Sequence, residues 1–395
     1  MLSEVGRRIR PNPIRRLTSL LGRKQVISLA AGAPSADTFP IEELSEIAAR
    51  IIRERGASAL QYGPTRGPAA LVDSVVEILR GRGMTTSPSE IVMTSGSQQG
   101  LDLISRVIVD PGDVVLVELP SYIGGIIAFH NARASMVGVR QDQEGIVIQD
   151  LKDKIDRLLA DGRRVKCVYT IPNFQNPSGV TLASKRRNEL IEIADQHDLL
   201  IIEDDAYFDL YLGEEARLTP LAAMRPNRVV YMGTFSKVLA PGLRTAYLRA
   251  PDRIAQLVEQ AKEGADLTSS VLDQSIVAEA IKLGLVDRRL PLLRDFYRVR
   301  RDAMLSALEK FSPAGSTWAR PLGGFFILME LDSRIDADEI LPLAIDAGVT
   351  FVPGRSFFVD DSGANTIRLA YSKESPELIA DGIQRMCNLF SAAIG

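Results

Sequence analysis

At 395 residues the chain is longer than a single hydrophobic core usually supports, so its length favours two domains. With 46% apolar and 25% charged residues, its composition is that of an ordinary globular protein and not of a fibrous or disordered one. A net charge of −3 argues against a surface for nucleic acid or an anionic membrane, and no apolar run is long enough to span a bilayer.

The few cysteines and histidines exclude further classes of protein. Cys167 and Cys387 lie in apolar sequence without a CxxC motif or any partner spacing, so we expect reduced core cysteines. The first ten residues lack the apolar core of a secretory signal, and a cytoplasmic protein is therefore expected. His130 and His197 are the only histidines, and neither lies in a metal-ligand pattern. This argues against a zinc enzyme, against any other metal site and against a Ser-His-Asp hydrolase.

Segments with the patterns of strands and helices alternate from about residue 66 to residue 290. The first regular helix is expected to begin at Ile41, and further helices are predicted over residues 70–83, 97–109, 122–130 and 184–198. Strands are predicted over residues 90–96, 113–120, 165–172, 199–205, 228–233 and 245–250. Because these strands are continuously apolar and helices separate them, the pattern predicts an α/β fold with a mainly parallel sheet flanked by helices.

The last third of the chain has a different pattern. A long helical stretch over residues 287–311 precedes short strands at residues 323–331, 349–354 and 366–372, which is typical of a smaller α+β domain. We therefore expect a large domain over residues 41–285 and a small C-terminal domain over residues 286–395. Residues 1–40 are expected to join the small domain and to help cover the active site.

Polar residues follow several of the predicted strands, and ligands in such sheets bind beyond the carboxyl ends of the strands. The turn at residues 94–99 opens a helix and offers free N–H groups and hydroxyls that suit a phosphate. Tyr122 offers an aromatic face, and the turn at residues 173–179 offers amides. A carboxylate, a phenol, an amine and a second cation follow at Asp204, Tyr207, Lys237 and Arg244. Together these groups describe a site for an anionic, planar, electrophilic heterocycle.

Three motifs in this order and spacing resemble the fold-type I aminotransferases that use pyridoxal phosphate: NPSG at residues 176–179, DDAY at 204–207 and SKVLAPGLR at 236–244. Further stretches resemble the branch that holds the α-aminoadipate, kynurenine and aromatic aminotransferases; these are ISLAAGAPSADTFP, LQYGPTRG, TSGSQQGLDL, PLGGFF, FVPGRSFF and TIRLAYS. The resemblance covers nearly the whole chain. It implies an aspartate-aminotransferase-like fold.

The resemblance also implies roles for residues at the cofactor ring. Lys237 would form the Schiff base with the cofactor aldehyde and then carry the substrate proton. Asp204 would pair with the pyridinium nitrogen, whereas Asp205 is expected to cap a helix. Tyr207 and Asn176 would bind the phenolic oxygen of the cofactor. Tyr122 would stack on the ring, with a packed core tyrosine as the alternative interpretation.

For the phosphate, the resemblance implies a set of side chains and a second subunit. Arg244 would supply a permanently charged fork beside Ser97, Gln98 and Ser236. Tyr62 would reach the phosphate of the neighbouring subunit, which implies a homodimer with shared active sites. The alternative for Tyr62 is a tyrosine that packs against its own turn.

For the substrate, the resemblance implies that Arg368 binds the α-carboxylate in a bidentate pair. Gly32 would let the backbone approach the same carboxylate, and Asn176 would lie beside it. Arg15 would meet the substrate side chain. Alternatively, Arg368 is a strand-edge arginine in an ion pair and Arg15 is a solvated or interface arginine.

These observations predict a pyridoxal-phosphate-dependent aminotransferase with a ping-pong mechanism. An L-amino acid of the aromatic, apolar or 2-aminoadipate type would donate its amino group, and a 2-oxo acid such as 2-oxoglutarate would accept it. A lyase or decarboxylase with the same cofactor is the first alternative, since the fold does not choose among these reactions. A degenerate regulatory domain is less favoured because no helix-turn-helix segment precedes Ile27 in this sequence. A nicotinamide-dependent dehydrogenase is also less favoured, because no Gly-x-Gly-x-x-Gly motif follows an early strand in this sequence.

Overall fold

The computed structural model describes residues 1–2, 6–7, 9, 26–213 and 217–394. Its strands, numbered in chain order, are β1 Ile27–Ser28, β2 Ile91–Thr94, β3 Val114–Leu119, β4 Ser135–Asp142, β5 Gly145–Ile146, β6 Val165–Thr170, β7 Leu200–Asp204, β8 Val229–Thr234, β9 Ala246–Arg249, β10 Thr317–Trp318, β11 Phe326–Glu330, β12 Val349–Thr350, β13 Val352–Pro353 and β14 Thr366–Ala370.

Helices cover most of the remaining described chain. They are α1 Ile41–Ala59, α2 Ala69–Gly81, α3 Ser97–Ile108, α4 Ile123–Asn131, α5 Ile148–Ala160, α6 Ser184–Gln196, α7 Leu221–Met224, α8 Asp252–Asp266, α9 Val271–Lys282, α10 Leu285–Phe311, α11 Ala337–Asp346 and α12 Pro376–Ile394. Within the described residues, no helix is both long and apolar enough to cross a membrane.

The large sheet has eight strands in the order β2-β9-β8-β7-β6-β3-β4-β5. Strands β8, β7, β6, β3 and β4 are parallel neighbours, whereas β9 is antiparallel to both β2 and β8. The carboxyl ends of β2, β3, β6, β7 and β8 therefore meet at one edge. Side chains on both faces of these strands are buried, which explains their continuous apolar sequence. The predicted α/β fold with a mainly parallel sheet is confirmed.

The last third of the chain forms a second, antiparallel sheet in the order β10-β11-β14-β13. The N-terminal strand β1 pairs with β12 in parallel, Ile27 opposite Val349, so the segment before α1 joins this part of the chain. The predicted boundary between residues 285 and 286 falls in the first turn of α10, and the division into domains stays a prediction.

Every strand predicted in the large sheet is found; five are shorter by two or three residues, and β8 has the predicted length but is shifted by one residue. Strand β4 was not predicted because Ser135–Asp142 mixes polar and apolar residues at a position near the sheet edge, where most of its side chains are only half-buried. Cys167 and Cys387 are free and buried, as expected.

Candidate active site

A cavity of about 290 Å³ opens at the edge where the carboxyl ends of the parallel strands meet. It brings together residues that are far apart in the sequence. The lining consists of Gly32, Ser97, Gln98, Tyr122, Ile171, Asn176, Asp204, Ala206, Tyr207, Thr234, Ser236, Lys237, Arg244, Phe326 and Arg368. Eleven of the thirteen site residues predicted from the sequence are in this list.

Lys237 follows β8 through a tight turn, and its amine lies among aromatic rings. The Nζ atom is 5.6 Å from the ring centre of Tyr207 and 5.8 Å from that of Phe325. Burial lowers the pKa of this amine to about 8; Asp204 opposes the shift, and the cations Arg244 and Arg368 add to it. The amine is therefore easier to deprotonate than an ordinary lysine.

Asp204 ends β7 and is almost fully buried. Its Oδ2 accepts a hydrogen bond of 2.9 Å from the Tyr169 hydroxyl, whereas its Oδ1 has no partner in the protein. Burial raises the pKa of this carboxyl to about 6, and the neighbouring Asp205 adds to the shift. A buried carboxylate oxygen without a partner is costly, so the site needs a donor that faces Oδ1.

The turn between β2 and α3 forms the other end of the cavity. Gly96 has a φ of +84°, and a Cβ at this position would overlap the Arg244 guanidinium. Arg244 therefore passes over Gly96, and its Nη2 donates to the Ser95 carbonyl over 3.1 Å. Ser97 begins α3, so free backbone N–H groups and a positive helix end face the same space as the guanidinium.

Two side chains complete this polar end of the cavity. Gln98 donates from Nε2 to the Gly124 carbonyl over 2.9 Å. The Ser236 hydroxyl lies 3.0 Å from Oγ1 of Thr234, which donates to it. The arrangement of hydroxyls, N–H groups and one guanidinium suits a phosphate.

Arg368 lies on β14 and reaches the cavity from the second sheet. Its Nη1 donates to Asn176 Oδ1 over 3.1 Å and its Nη2 to the Ala30 carbonyl over 2.8 Å, while Nε has no partner. The guanidinium lies over the rings of Phe326 and Phe357, and burial lowers its pKa to about 10. A buried cation with an unused donor is suited to a carboxylate.

The glycine at position 32 is required by close packing. A Cβ on Gly32 would lie 2.5 Å from Cζ of Phe326 and 3.7 Å from Nη2 of Arg368. Its backbone therefore approaches the Phe326 ring as only a residue without a side chain can, and it lies beside the Arg368 guanidinium.

Comparison with known proteins gives this geometry a family. Residues 24–386 match the family model for aminotransferase class I and II. The chain belongs to this family. As the motifs predicted, it is a pyridoxal-phosphate-dependent aminotransferase of fold type I. The match extends from β1 into α12, so it includes both sheets and every described residue of the cavity.

Individual relatives are similar over the whole chain. The aromatic-amino-acid aminotransferase 1 of Thermococcus litoralis is 41% identical, with 97% of this chain and 92% of the relative covered. A kynurenine aminotransferase from Pyrococcus horikoshii, solved with PMP and kynurenine, superposes with a TM-score of 0.96 at 36% identity and covers 100% of this chain and 98% of its own. The α-aminoadipate aminotransferase of Thermus thermophilus, complexed with N-(5'-phosphopyridoxyl)-L-leucine, superposes with a TM-score of 0.92 at 38% identity and covers 100% of this chain and 98% of its own.

The cavity of this aminotransferase fits the cofactor that the family implies. The unpartnered Asp204 Oδ1 could accept a hydrogen bond from a protonated ring nitrogen, and the Lys237 amine could react with an aldehyde. The turn at Gly96, with the Arg244 guanidinium beside it, could bind a phosphate. Within the described residues, no group of three or more His, Cys, Asp or Glu side chains is arranged to hold a metal ion.

Of the predicted site residues that the structure describes, one does not line the cavity. The Tyr62 side chain is 77% exposed on the surface and does not line it. Arg15 lies outside the described residues.

The prediction that Asp205 caps a helix is wrong. Its carboxylate is buried and accepts hydrogen bonds from Asn173 Nδ2 over 2.8 Å and from the Tyr231 hydroxyl over 3.0 Å. Turns follow it in the chain. Because side chains alternate along a strand, Asp205 faces away from the cavity when Asp204 faces into it.

The sequence did not reveal the residues outside the cavity that form hydrogen bonds to the residues and turns lining it. The sequence places Tyr169 in an apolar strand, but its hydroxyl donates to Asp204. It places Gln175 in a polar turn, but the Gln175 Nε2 donates to Glu118 and its Oε1 accepts from Ser178. Only the charge of Glu118 within the apolar strand β3 was a usable signal, since a buried carboxylate needs partners.

Proposed function

We propose that this chain transfers the amino group of an L-amino acid to a 2-oxo acid, with pyridoxal phosphate held in the cavity. One observation carries the proposal. The orphaned Asp204 Oδ1, the Lys237 amine with its lowered pKa, and the Arg368 guanidinium with an unused donor all line the same cavity. When bound, the cofactor supplies an electrophilic aldehyde and a ring that stabilises negative charge at the substrate Cα.

The residues that would hold the cofactor form three groups. Asp204 would keep the ring nitrogen protonated, since its free oxygen has no other partner. Tyr207 and Asn176 would bind the phenolic oxygen, and Tyr122 would cover the ring. The phosphate would lie over the α3 N-terminus against the side chains of Ser97, Gln98, Ser236 and Arg244.

Lys237 would then move the proton on which the reaction depends. Its neutral amine would accept the proton from the substrate Cα, which requires a base in the unprotonated form. A pKa of about 8 makes that form accessible near neutral pH, and Tyr207 and Phe325 limit the access of water to Nζ.

Arg368 would fix the substrate by its α-carboxylate. The guanidinium is held by Asn176 and the Ala30 carbonyl, so its direction is set before a substrate binds. Gly32 lines the cavity beside the guanidinium, where the absence of a side chain would leave its backbone accessible to the carboxylate. An enzyme that retains the α-carboxylate in this way favours transamination over decarboxylation.

The donor and the acceptor would use one cavity in turn, which requires a ping-pong mechanism. We propose aromatic, apolar or 2-aminoadipate-like donors and 2-oxoglutarate as an acceptor. The names of the relatives, which mention aromatic amino acids, kynurenine, α-aminoadipate and a leucine adduct, support the donor classes. Arg15 is proposed to contact an acidic side chain.

The test is the visible absorption spectrum of the purified protein before and after addition of single L-amino acids. We expect a cofactor band that some amino acids convert without loss of carbon dioxide or ammonia, and that 2-oxoglutarate restores. Release of ammonia or carbon dioxide would instead indicate a lyase or a decarboxylase. A protein that binds no added cofactor would refute the proposal.

A further inference from the structure

A fully buried lysine outside the catalytic cavity, Lys262 in α8, has no part in the proposed mechanism. Its Nζ donates to Asp266 Oδ1 over 2.8 Å, and its side chain is 0% exposed. Burying an unpaired ammonium is strongly unfavourable, so a lysine here needs the carboxylate at the end of the same helix.

The carboxylate of Asp266 has a second partner in α3, the helix that begins at the cavity. Gln99 in α3 donates from Nε2 to Asp266 Oδ2 over 2.6 Å. At its other end, Gln99 Oε1 accepts from the backbone N–H of Ser95 over 2.7 Å. A chain of hydrogen bonds therefore runs from the buried ammonium to the turn that opens α3.

Ser95 is held on three sides. Besides the bond from its N–H to Gln99, its hydroxyl lies 2.9 Å from the hydroxyl of Ser269, which follows α8. Its carbonyl accepts from Arg244 on the cavity side. Neither Gln99 nor Asp266 lines the cavity. Both can act on it through Ser95, whose carbonyl holds Arg244, and through the first turn of α3.

The segment after α8 has a conformation that needs external support. Leu267 has φ +62° and ψ −57°, and the N–H of Thr268 donates to the Asp266 carbonyl over 2.7 Å. A residue with a Cβ rarely adopts a positive φ, so this tight turn is strained. The bonds of the Asp266 side chain to Lys262 and Gln99, and the contact between Ser269 and Ser95, connect this turn to α3.

We propose that Lys262, Asp266 and Gln99 are positioning residues that hold the Ser95–Ser97 turn in the geometry required to bind the cofactor phosphate. The lysine orients the carboxylate, the carboxylate orients the amide, and the amide fixes the Ser95 N–H. The two glutamines of SQQG at residues 97–100 then have different roles. Gln98 lines the cavity, whereas Gln99 binds Ser95 and Asp266 outside it.

The inference rests on the proposed placement of the cofactor phosphate at this turn, and its test must separate the two. The full-length apoprotein is titrated with pyridoxal 5'-phosphate and, separately, with pyridoxal, which lacks the phosphate. The ratio of the two dissociation constants measures what the phosphate site contributes. A general loss of stability weakens both ligands and leaves the ratio unchanged.

Gln99→Met removes the donor and the acceptor at nearly constant size. The double variant Lys262→Met with Asp266→Asn removes both charges of the pair together, so that neither is left unpaired. We expect each to lower the preference for the phosphorylated ligand by about tenfold, as is typical for one lost charge-assisted hydrogen bond. Glu263→Gln, an exposed carboxylate in the same helix, is the matched control and should leave the ratio as it is.

The remaining outcomes overturn the inference. If the ratio in Gln99→Met and in the double variant equals that of the wild type, the network does not position the phosphate turn. If both ligands weaken equally, the network has only a structural role. If the wild-type protein itself does not prefer the phosphorylated ligand, the proposed placement of the phosphate fails, and this inference fails with it.

Discussion

Neighbouring acids at the end of β7 show how the position of one side chain decides its chemistry. Asp204 and Asp205 are adjacent and both are buried. Both oxygens of Asp205 accept hydrogen bonds from the protein, so this carboxylate has no oxygen left without a partner. Asp204 leaves one oxygen unused at the cavity. A buried group without a partner lowers stability and is retained where a ligand supplies the partner.

The proposed role of Arg368 predicts a specific loss in the variant Arg368→Lys. Lysine keeps the charge but not the planar fork, so the two-point contact with an α-carboxylate is lost. We expect kcat/KM for the preferred L-amino acid to fall by about 2–3 kcal/mol in transition-state stabilisation. The measurement compares each amino acid with its decarboxylated amine.

Wild-type enzyme should strongly prefer the amino acid over the amine, and Arg368→Lys should lose much of that preference. An equal loss for both compounds would mean that Arg368 acts only through the fold.

The buried Glu118 predicts a pH dependence of stability. Burial raises its pKa to about 7, against hydrogen bonds from Thr170, Gln175 and the Ile171 backbone that favour the charged form. Since the folded state binds the proton more tightly than the unfolded state, Glu118 lowers the free energy of unfolding as the pH rises from about 4.5 to about 7. Glu118→Gln removes this titration, and its amide can still bond to Thr170.

We therefore expect the free energy of unfolding of wild type to fall by up to about 3 kcal/mol more than that of Glu118→Gln when the pH is raised from 5 to 8. Urea unfolding at the two pH values measures the difference. The exposed Glu263→Gln should show no such difference from wild type. A difference that does not change with pH would show that Glu118 does not titrate in this range.

At the scale of elements, the crossing of Gly96 and Arg244 predicts a loss in Gly96→Ala. The new methyl group would overlap the guanidinium and displace it from the α3 N-terminus. We expect the affinity for pyridoxal phosphate to fall at least about tenfold, the cost of one charge-assisted contact. Binding to the apoprotein measures it.

Gly112→Ala is the matched control for this prediction. Gly112 has a φ of +93°, yet a Cβ there would have no neighbour within 4 Å. Both variants therefore strain the backbone by about 1–3 kcal/mol, but only Gly96→Ala disturbs Arg244. Equal cofactor affinities in the two variants would rule out the proposed role of the crossing.

Whether an element could be predicted from the sequence depends on how its two faces are buried. The strands of the large sheet were predictable because they are buried on both faces and therefore apolar throughout, while β4 near the edge was not. Residues just after the strands marked the cavity, since parallel strands end at one edge. The bonds of Tyr169 and Gln99 join elements that are not adjacent in sequence, and no local pattern encodes them.

At the scale of the molecule, exposed apolar residues lie where we propose that a second subunit binds. Leu60, Tyr62 and Leu267 are 67%, 77% and 47% exposed. Their segments are in contact, since the Thr268 hydroxyl donates to the Pro64 carbonyl over 3.3 Å. Exposed apolar groups that cluster in this way mark interaction surfaces. The segment with Leu267 also holds Asp266 and Ser269, so the proposed interface and the phosphate turn share one support.

A shared active site predicts that two defective chains restore each other. We expect Tyr62→Ala homodimers to bind the cofactor weakly and Lys237→Ala homodimers to be inactive. If Tyr62 serves the site of the partner, a mixed dimer contains one site with both Lys237 and Tyr62 intact and one site with neither. Random exchange of subunits would then restore about a quarter of the wild-type sites, because half of the dimers are mixed and each has one intact site.

The measurement is transamination at a limiting cofactor concentration after the two variants are denatured and refolded together, compared with the sum of the variants refolded apart. Two chains that both carry Lys237→Ala are the control and should recover nothing. If the mixture is no more active than the sum, Tyr62 acts within its own chain or not at all. The exposed ring would then be a feature of its turn, and each subunit would hold a complete site by itself.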